Sequence, residues 1–287
     1  MSMIRTKWSR PALITRYTLL LVFVVIFLMP IYVVLVTSFK SPAEVSVPDM
    51  WSLPHHLSFD NFIKAWDQPA IHHGLLNSIL IAGTSAIVSS FLGAANGFVL
   101  SKWRFPGADW VFPLILFGMF IPYQAIIIPM TQFYNDVGLW GNGEATGGLL
   151  ALILTHIIYG LPITTLIFRS YYAGVPDTIF DSSQMDGAGM LRSFWHIALP
   201  LAIPGFAVSI IWQFTSAWND FLFGLVLTTD TSSWPVTIGL NNIAGVQTIP
   251  FGQAMAAALI ASLPTLVVYI ILGRFFMRGL MAGALKG

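Results

Sequence analysis

Cysteine is absent from this chain of 287 residues, charged residues make up only 9% of it, and no dense tract of Lys or Arg occurs along it. Each shortage removes a class of function. Without cysteine there is no disulfide framework, no thiolate nucleophile and no cysteine-based metal site, and the redox compartment leaves no mark. A net charge of +1 without a basic stretch lacks the electrostatic footprint that nucleic acid requires. Also missing are the H-E-x-x-H zinc motif, the G-x-S-x-G nucleophile turn and the G-x-x-x-x-G-K-[ST] phosphate loop. No catalytic, cofactor-binding or metal-binding residues are therefore expected.

What the chain has is hydrophobicity, at 56% of residues, against a charged share of about 25% in an average soluble domain. The apolar residues fall in long blocks, and about 20 of them suffice to cross a bilayer as a helix. Six blocks qualify: 18–39, 75–100, 110–134, 147–168, 198–227 and 250–276. Barrel strands are shorter and alternate, whereas these blocks are apolar all round. The fold expected is an all-α membrane protein with six transmembrane helices in one domain over 1–287. The basic amino end followed by Leu19 to Val36 resembles a signal peptide. The run is longer than a usual signal core and no small-residue cleavage site follows, so it reads as a retained first span.

Basic residues stay preferentially on the cytoplasmic side of short loops. With the amino end inside, Arg5, Lys7, Arg10, Arg16, Lys102, Arg104, Arg169, Arg192, Arg274, Arg278 and Lys286 are all inside, and of the 13 basic residues only Lys40 and Lys64 fall outside. The acids Glu44, Asp49, Asp60, Asp67, Asp136, Glu144 and Asp230 gather on the outer side. Both termini are thus expected in the cytoplasm. In the outer segment after the first span, Ser58 to Trp66 is expected to form a short helix capped by Ser58 or Asp60.

The inner loop 169–197 is polar between apolar spans. Pro176 suits a first helical turn, Asp177 complements the helix dipole and Gly187 and Gly189 suit a stop, so a helix over 175–186 is expected. Val175, Ile179 and Phe180 form a narrow apolar stripe. An interfacial helix on the headgroups is one reading, but such helices carry Lys or Arg on the polar face, and this one carries Asp177, Asp181 and Asp186. Acid beside anionic lipid favours a protein partner.

Asp181-Ser182-Ser183, then Asp186-Gly187-Ala188-Gly189, then Ile197-Ala198-Leu199-Pro200 resemble the "EAA…G…I-x-L-P" loop of membrane subunits of binding-protein-dependent ABC importers. The Glu-Ala-Ala triplet is here Asp-Ser-Ser. Leu57 to Phe62, Arg104-Phe105-Pro106-Gly107, Trp218-Asn219-Asp220-Phe221 and the tail Gly279 to Gly287 resemble the carbohydrate branch, the maltose-type second permease subunit. The resemblance implies a type I importer transmembrane domain in a bacterial or archaeal cytoplasmic membrane. It implies a heterodimer with a second permease subunit, two ATP-binding subunits that hold ATP and Mg, an extracytoplasmic solute-binding protein, and a sugar as cargo. It also implies that the loop is a coupling helix seated on the ATPase, with Asp181, Ser182, Ser183, Asp186, Gly187 and Ala188 as contact residues.

Independently of family, a 100° wheel over 199–222 puts Ser209, Trp212, Gln213, Thr215, Ser216, Asn219 and Asp220 on one arc, opposite Ile210, Ile211, Phe214, Trp218, Phe221 and Leu222. In lipid, polar side chains turn toward protein or water. Trp212 offers a flat face to a sugar ring, and Gln213, Thr215, Ser216, Asn219 and Asp220 offer hydrogen bonds, which suits a substrate pathway. Helix–helix glue is the other reading, and Asp220 also suits the mere outer end of a helix begun at Leu199. Pro122 and Pro264 are placed to kink their spans, and Gly93 with Gly97 forms a G-x-x-x-G pair that permits close helix contact. His156 reads as a packed histidine, since no second titratable group accompanies it in its span. A phosphorylated polyol such as glycerol phosphate is the alternative cargo, disfavoured by the absence of a basic residue in the polar arc. A secondary transporter or channel is the alternative class, disfavoured by the shortage of ionisable residues within the spans.

Overall fold

Proline and small residues decide where the long apolar stretches run straight and where they turn. The computed structural model describes residues 10–46, 48–103, 105–140, 146–245 and 249–284. Arg5, Lys7, Arg104, Glu144 and Lys286, which enter the charge asymmetry, lie outside these residues, as do the side chains of Arg10 and Arg278 and those of the tail from Gly279.

The described residues form helices α1 (Arg10–Ser38), α2 (Asp60–Trp66), α3 (Pro69–Lys102), α4 (Ala108–Phe117), α5 (Tyr123–Asp136), α6 (Leu149–Ala173) and α7 (Asp177–Met185), then α8 (Met190–Ser193), α9 (Leu199–Leu201), α10 (Ile203–Trp218), α11 (Leu222–Leu227), α12 (Val236–Gly245) and α13 (Phe251–Ala284). No strand occurs among the described residues. Among the described residues, four helices, within α1, α3, α6 and α13, are long and apolar enough to cross a membrane, and there are up to six spans if each of two bent pairs counts as one.

The bends have identifiable causes. The stretch expected to cross at 110–134 is not one helix: Ala108–Phe120 and Tyr123–Asp136 meet at 98°. Pro122 is extended (φ −60°, ψ 130°), and Ile121 before it is extended too (φ −74°, ψ 120°), as the clash of a proline ring with the preceding residue demands. The stretch expected at 198–227 also turns: Met190–Leu201 and Ile203–Trp218 meet at 76°. A π-helical turn over Phe194–Ala198 precedes Pro200 and Pro204, which start α9 and α10. Pro264, by contrast, lies inside the continuous α13.

Two compact units divide the chain. One holds Gln68–Asn242 and the residues from Ala261 onward. Its heart is α3 packed along α6, with α10 laid over both. Without a hydrophobic drive between helices in lipid, contact depends on small residues and on hydrogen bonds across the seam. A Cβ on Gly97 would sit 2.6 Å from the backbone nitrogen of Arg169, and one on Gly93 would collide with Thr164, so the G-x-x-x-G pair does set the α3–α6 approach. Thr164 Oγ1 donates to Ser89 O at 2.9 Å, and the hydroxyls of Ser90 and Ser209 pair at 2.7 Å. Phe214, Ala217, Trp218, Ala82, Ala86, Val236 and Ala261 form an apolar cluster in which Trp218 Nε1 donates to Ala261 O at 3.1 Å.

The other unit holds the residues up to Asp67 and Ile243–Ile260. Almost all of α1 leaves its apolar side chains uncovered, as lipid or a protein partner would require. After it, the buried Lys40 donates to Asp49 O and to Ser52 Oγ (3.3 Å), folding 49–52 back on the end of α1. Asn61, on α2, donates to Ser38 O (3.1 Å) and Lys40 O (2.7 Å). The helix expected over 58–66 is thus present as α2, but neither Ser58 nor Asp60 caps it: Phe59 holds the N-cap position without a side-chain bond, and Ser58 Oγ accepts from Asp60 N at 3.2 Å.

Candidate functional site

Two features of the larger unit collect the residues singled out from sequence. The first is α7. Its carboxyl end is a Schellman motif: Gly187 N donates to Gln184 O and Ala188 N to Ser183 O, both at 2.9 Å, with Gly187 left-handed at φ +77°. Of the expected apolar stripe, Phe180 is buried against Phe98, Phe168, Tyr172 and Phe194, Val175 packs on that cluster and Ile179 stays exposed. At the other end, Lys102 at the end of α3 donates to Val175 O (2.6 Å) and pairs with the Asp177 carboxylate. The helix is therefore clamped at its start by a cation and by burial of Phe180, leaving its outer face free.

That outer face carries Asp181, Ser182, Gln184, Met185, Asp186 and Gly187, all exposed, with Met185 at 89%, while Ala188 is half-buried. Ser183 differs from expectation: it is turned inward, its hydroxyl donating to Phe180 O (2.8 Å) and pairing with Ser193 Oγ (3.0 Å). The Asp-Ser-Ser departure from Glu-Ala-Ala thus has a structural use, because an alanine at 183 could not tie α7 to α8. Beside the helix lies a groove of about 510 Å³ lined by Ser101, Lys102, Trp103, Asp177, Phe180, Asp181 and Gln184. Exposed Leu191 and Trp195 follow on the next turns; both were missed from sequence, since neither stands out in an apolar-rich segment.

The second feature is a cavity of about 470 Å³, where α10 gives way to α11 beside Met119, α5 and α6. Trp212, Gln213, Ser216, Asn219 and Asp220 line it, while Thr215 does not and keeps a buried hydroxyl without a hydrogen-bond partner. The residues of the arc divide between pathway and glue. Trp212 is 56% exposed and Ser216 and Asn219 are also open, whereas Gln213 is buried and donates to His156 O at 2.8 Å across the α6–α10 seam.

Asp220 departs from the wheel altogether. The helix ends at Trp218, so Asp220 is not on its outer turn. Its carboxylate accepts from Phe223 N (3.4 Å) and Gly224 N (3.0 Å), opening α11, and Oδ2 lies 3.6 Å from His156 Nε2. The companion that His156 lacks in its own span comes from another element. Tyr123, Tyr159 and Phe223 complete the wall as a mutually packed aromatic group with centroids 5.0–5.2 Å apart. The site thus presents flat aromatic faces interleaved with a hydroxyl, two amides, an imidazole and one carboxylate. No cluster of three or more His, Cys, Asp or Glu suited to a metal occurs among the described residues.

Residues 89–281 match the family model of the binding-protein-dependent transport system inner membrane component. The chain belongs to this family. It is a multi-pass membrane protein and the permease component of an ABC transport system. A probable ABC transporter permease of Pyrococcus horikoshii is 44% identical over 174 residues, a match that spans 61% of this chain and 61% of the relative. The permease protein NgcG of the diacetylchitobiose uptake system of Streptomyces coelicolor is 32% identical over 260 residues, spanning 90% of this chain and 84% of the relative. The permease also shares its fold with a bacterial ABC transporter involved in the import of the acidic polysaccharide alginate, at a TM-score of 0.78, 20% identity, and 94% and 99% of the two chains.

Proposed function

We propose that this permease subunit forms one half of the passage of an ATP-driven importer for a sugar or glycoside. The single observation that carries the cargo class is the cavity lining: Trp212, Tyr123 and Tyr159 supply stacking faces, and Ser216 and Asn219 supply hydroxyl-matching hydrogen bonds. Aromatic faces with few convergent polar groups are how proteins commonly hold small polar ligands. The diacetylchitobiose relative supports the same class.

In this reading a second permease subunit completes the passage, two ATP-binding subunits hold ATP and Mg, and an extracytoplasmic solute-binding protein delivers the cargo. Both termini and α7 face the cytoplasm, in agreement with the distribution of basic residues. The exposed face of α7, with Asp181, Ser182, Asp186 and Gly187, seats on an ATP-binding subunit, and Ser183 and Ala188 hold its shape. Closure of the ATPase pair then moves α3 and α6 through the Lys102 clamp as a rigid-body switch.

The test is a solute screen on the purified complex. Stimulation of ATPase activity by sugars or glycosides is the expected result. Stimulation by glycerol phosphate or another phosphorylated polyol instead would overturn the cargo class.

A further inference from the structure

The cavity beside α10 holds one carboxylate and no ammonium or guanidinium. Among the described residues its titratable lining groups are Tyr123, His156, Tyr159 and Asp220. Asp220 lies between α10 and α11, with its side chain 14% exposed. Both its oxygens accept from backbone nitrogens of α11. His156, from α6, is the sole cation-forming partner, with Nε2 at 3.6 Å. With His156 neutral the lining carries one net negative charge, and with His156 protonated the pair sums to zero. In neither state does the wall become positive.

We propose that Asp220, balanced by His156, acts as a charge filter that admits neutral or amine-bearing sugars and turns back anionic ones such as uronates and sugar phosphates. The proposal rests on the sugar-pathway reading and narrows it to a substrate class. The fold alone does not dictate cargo charge, since a transporter of this fold imports an acidic polysaccharide; the residues lining the wall do. A buried or half-buried carboxylate repels a second negative charge more strongly than water would allow, because the surroundings screen poorly, and like charges placed together are a common means of rejecting wrong partners. Asn219 and Ser216 leave hydroxyl recognition unaffected by this exclusion, because they pair with neutral groups.

The absence of cysteine permits a direct reading of the charge. Ser216→Cys places the only thiol of the chain on the cavity wall. In the complete transporter, with its other chains freed of cysteine, the thiol is labelled with methanethiosulfonates bearing a trimethylammonium or a sulfonate head. The cation-to-anion rate ratio is expected to exceed that of a simple thiol in solution by about tenfold. Asp220→Asn, which keeps an acceptor for α11, is expected to bring the ratio to within about twofold of the simple thiol. Asp220→Glu and His156→Gln, which keep the negative charge, are expected to retain the preference. A ratio equal to that of the simple thiol, or one unchanged by Asp220→Asn, would overturn the filter. The labelling needs no cargo, so this failure and the failure of the sugar reading in the solute screen are separate results.

Discussion

His156 Nε2 lies 3.6 Å from Asp220 Oδ2, joining α6 to the break between α10 and α11. The same carboxylate accepts from the backbone nitrogens of Phe223 and Gly224, and the Asp220 carbonyl accepts from Thr237 Oγ1 at 2.7 Å. One residue therefore starts a helix, ties it to Thr237 and faces the cavity. Asp220→Ala removes the acceptor for two backbone donors and is expected to destabilise the protein by about 1 kcal/mol or more. Asp220→Asn is expected to cost less than half of that. Thermal unfolding of the detergent-solubilised complex compares the two.

Trp212 and Asn219 face the cavity without holding helices together, since Trp212 is open and Asn219 Nδ2 bonds only to Thr215 O of its own helix (2.8 Å). Trp212→Ala and Asn219→Ala are expected to reduce sugar uptake by about tenfold, equivalent to about 1.4 kcal/mol. Gln213→Ala is expected to lower thermal stability as well, because it strips the His156 carbonyl of its donor. Uptake and thermal unfolding measured on all three variants separate passage from packing.

Gly187 has the space for a side chain but not the backbone for one. A Cβ there meets nothing within 4 Å, yet its φ of +77° is a conformation that other residues adopt at a cost of about 1–2 kcal/mol. Gly187→Ala is expected to fray the end of α7 and weaken the link between ATP hydrolysis and uptake. Gly187→Trp is expected to abolish it by adding bulk to the docking face. The ratio of ATP hydrolysed to sugar taken up is the measurement, and full coupling in Gly187→Trp would contradict the docking role of α7.

Lys102 is almost wholly buried and holds the first turn of α7 through Val175 O and Asp177. Lys102→Met keeps the stem and leaves the Val175 carbonyl without that donor, a change expected to cost about 1–3 kcal/mol. Asp177→Asn removes charge from the exposed partner and is expected to cost under about 1 kcal/mol, as exposed ion pairs do. Protease accessibility of the loop at 174–189 reports the release of α7, with Lys102→Met the more sensitive variant.

Much of this arrangement is legible in the chain itself. Block hydrophobicity marks the membrane helices, Pro176 and Gly187 bracket α7, and Gly93 with Gly97 marks the α3–α6 approach, because each rests on a local rule. The features that were not legible depend on residues far apart in sequence. Lys102 reaches Asp177 across 75 residues, Ser183 finds Ser193 only because the chain reverses at Gly187, and His156 meets Asp220 only after α10 has stopped at Trp218. A wheel drawn through Leu222 assumes a helix that Asp220 itself interrupts. Pro122 signals a kink, but the 98° turn arises because Ile121 is driven into the extended region with it.

In the proposed function, this permease moves sugar only when an ATPase on another chain drives it. Reconstitution into liposomes, with and without the ATP-binding subunits, tests that most directly, with sugar accumulation as the readout. ATP-dependent accumulation is expected from the complete transporter, and none from this chain alone or paired with the second permease subunit. Accumulation by the membrane subunits alone, driven by an ion or sugar gradient, would contradict it.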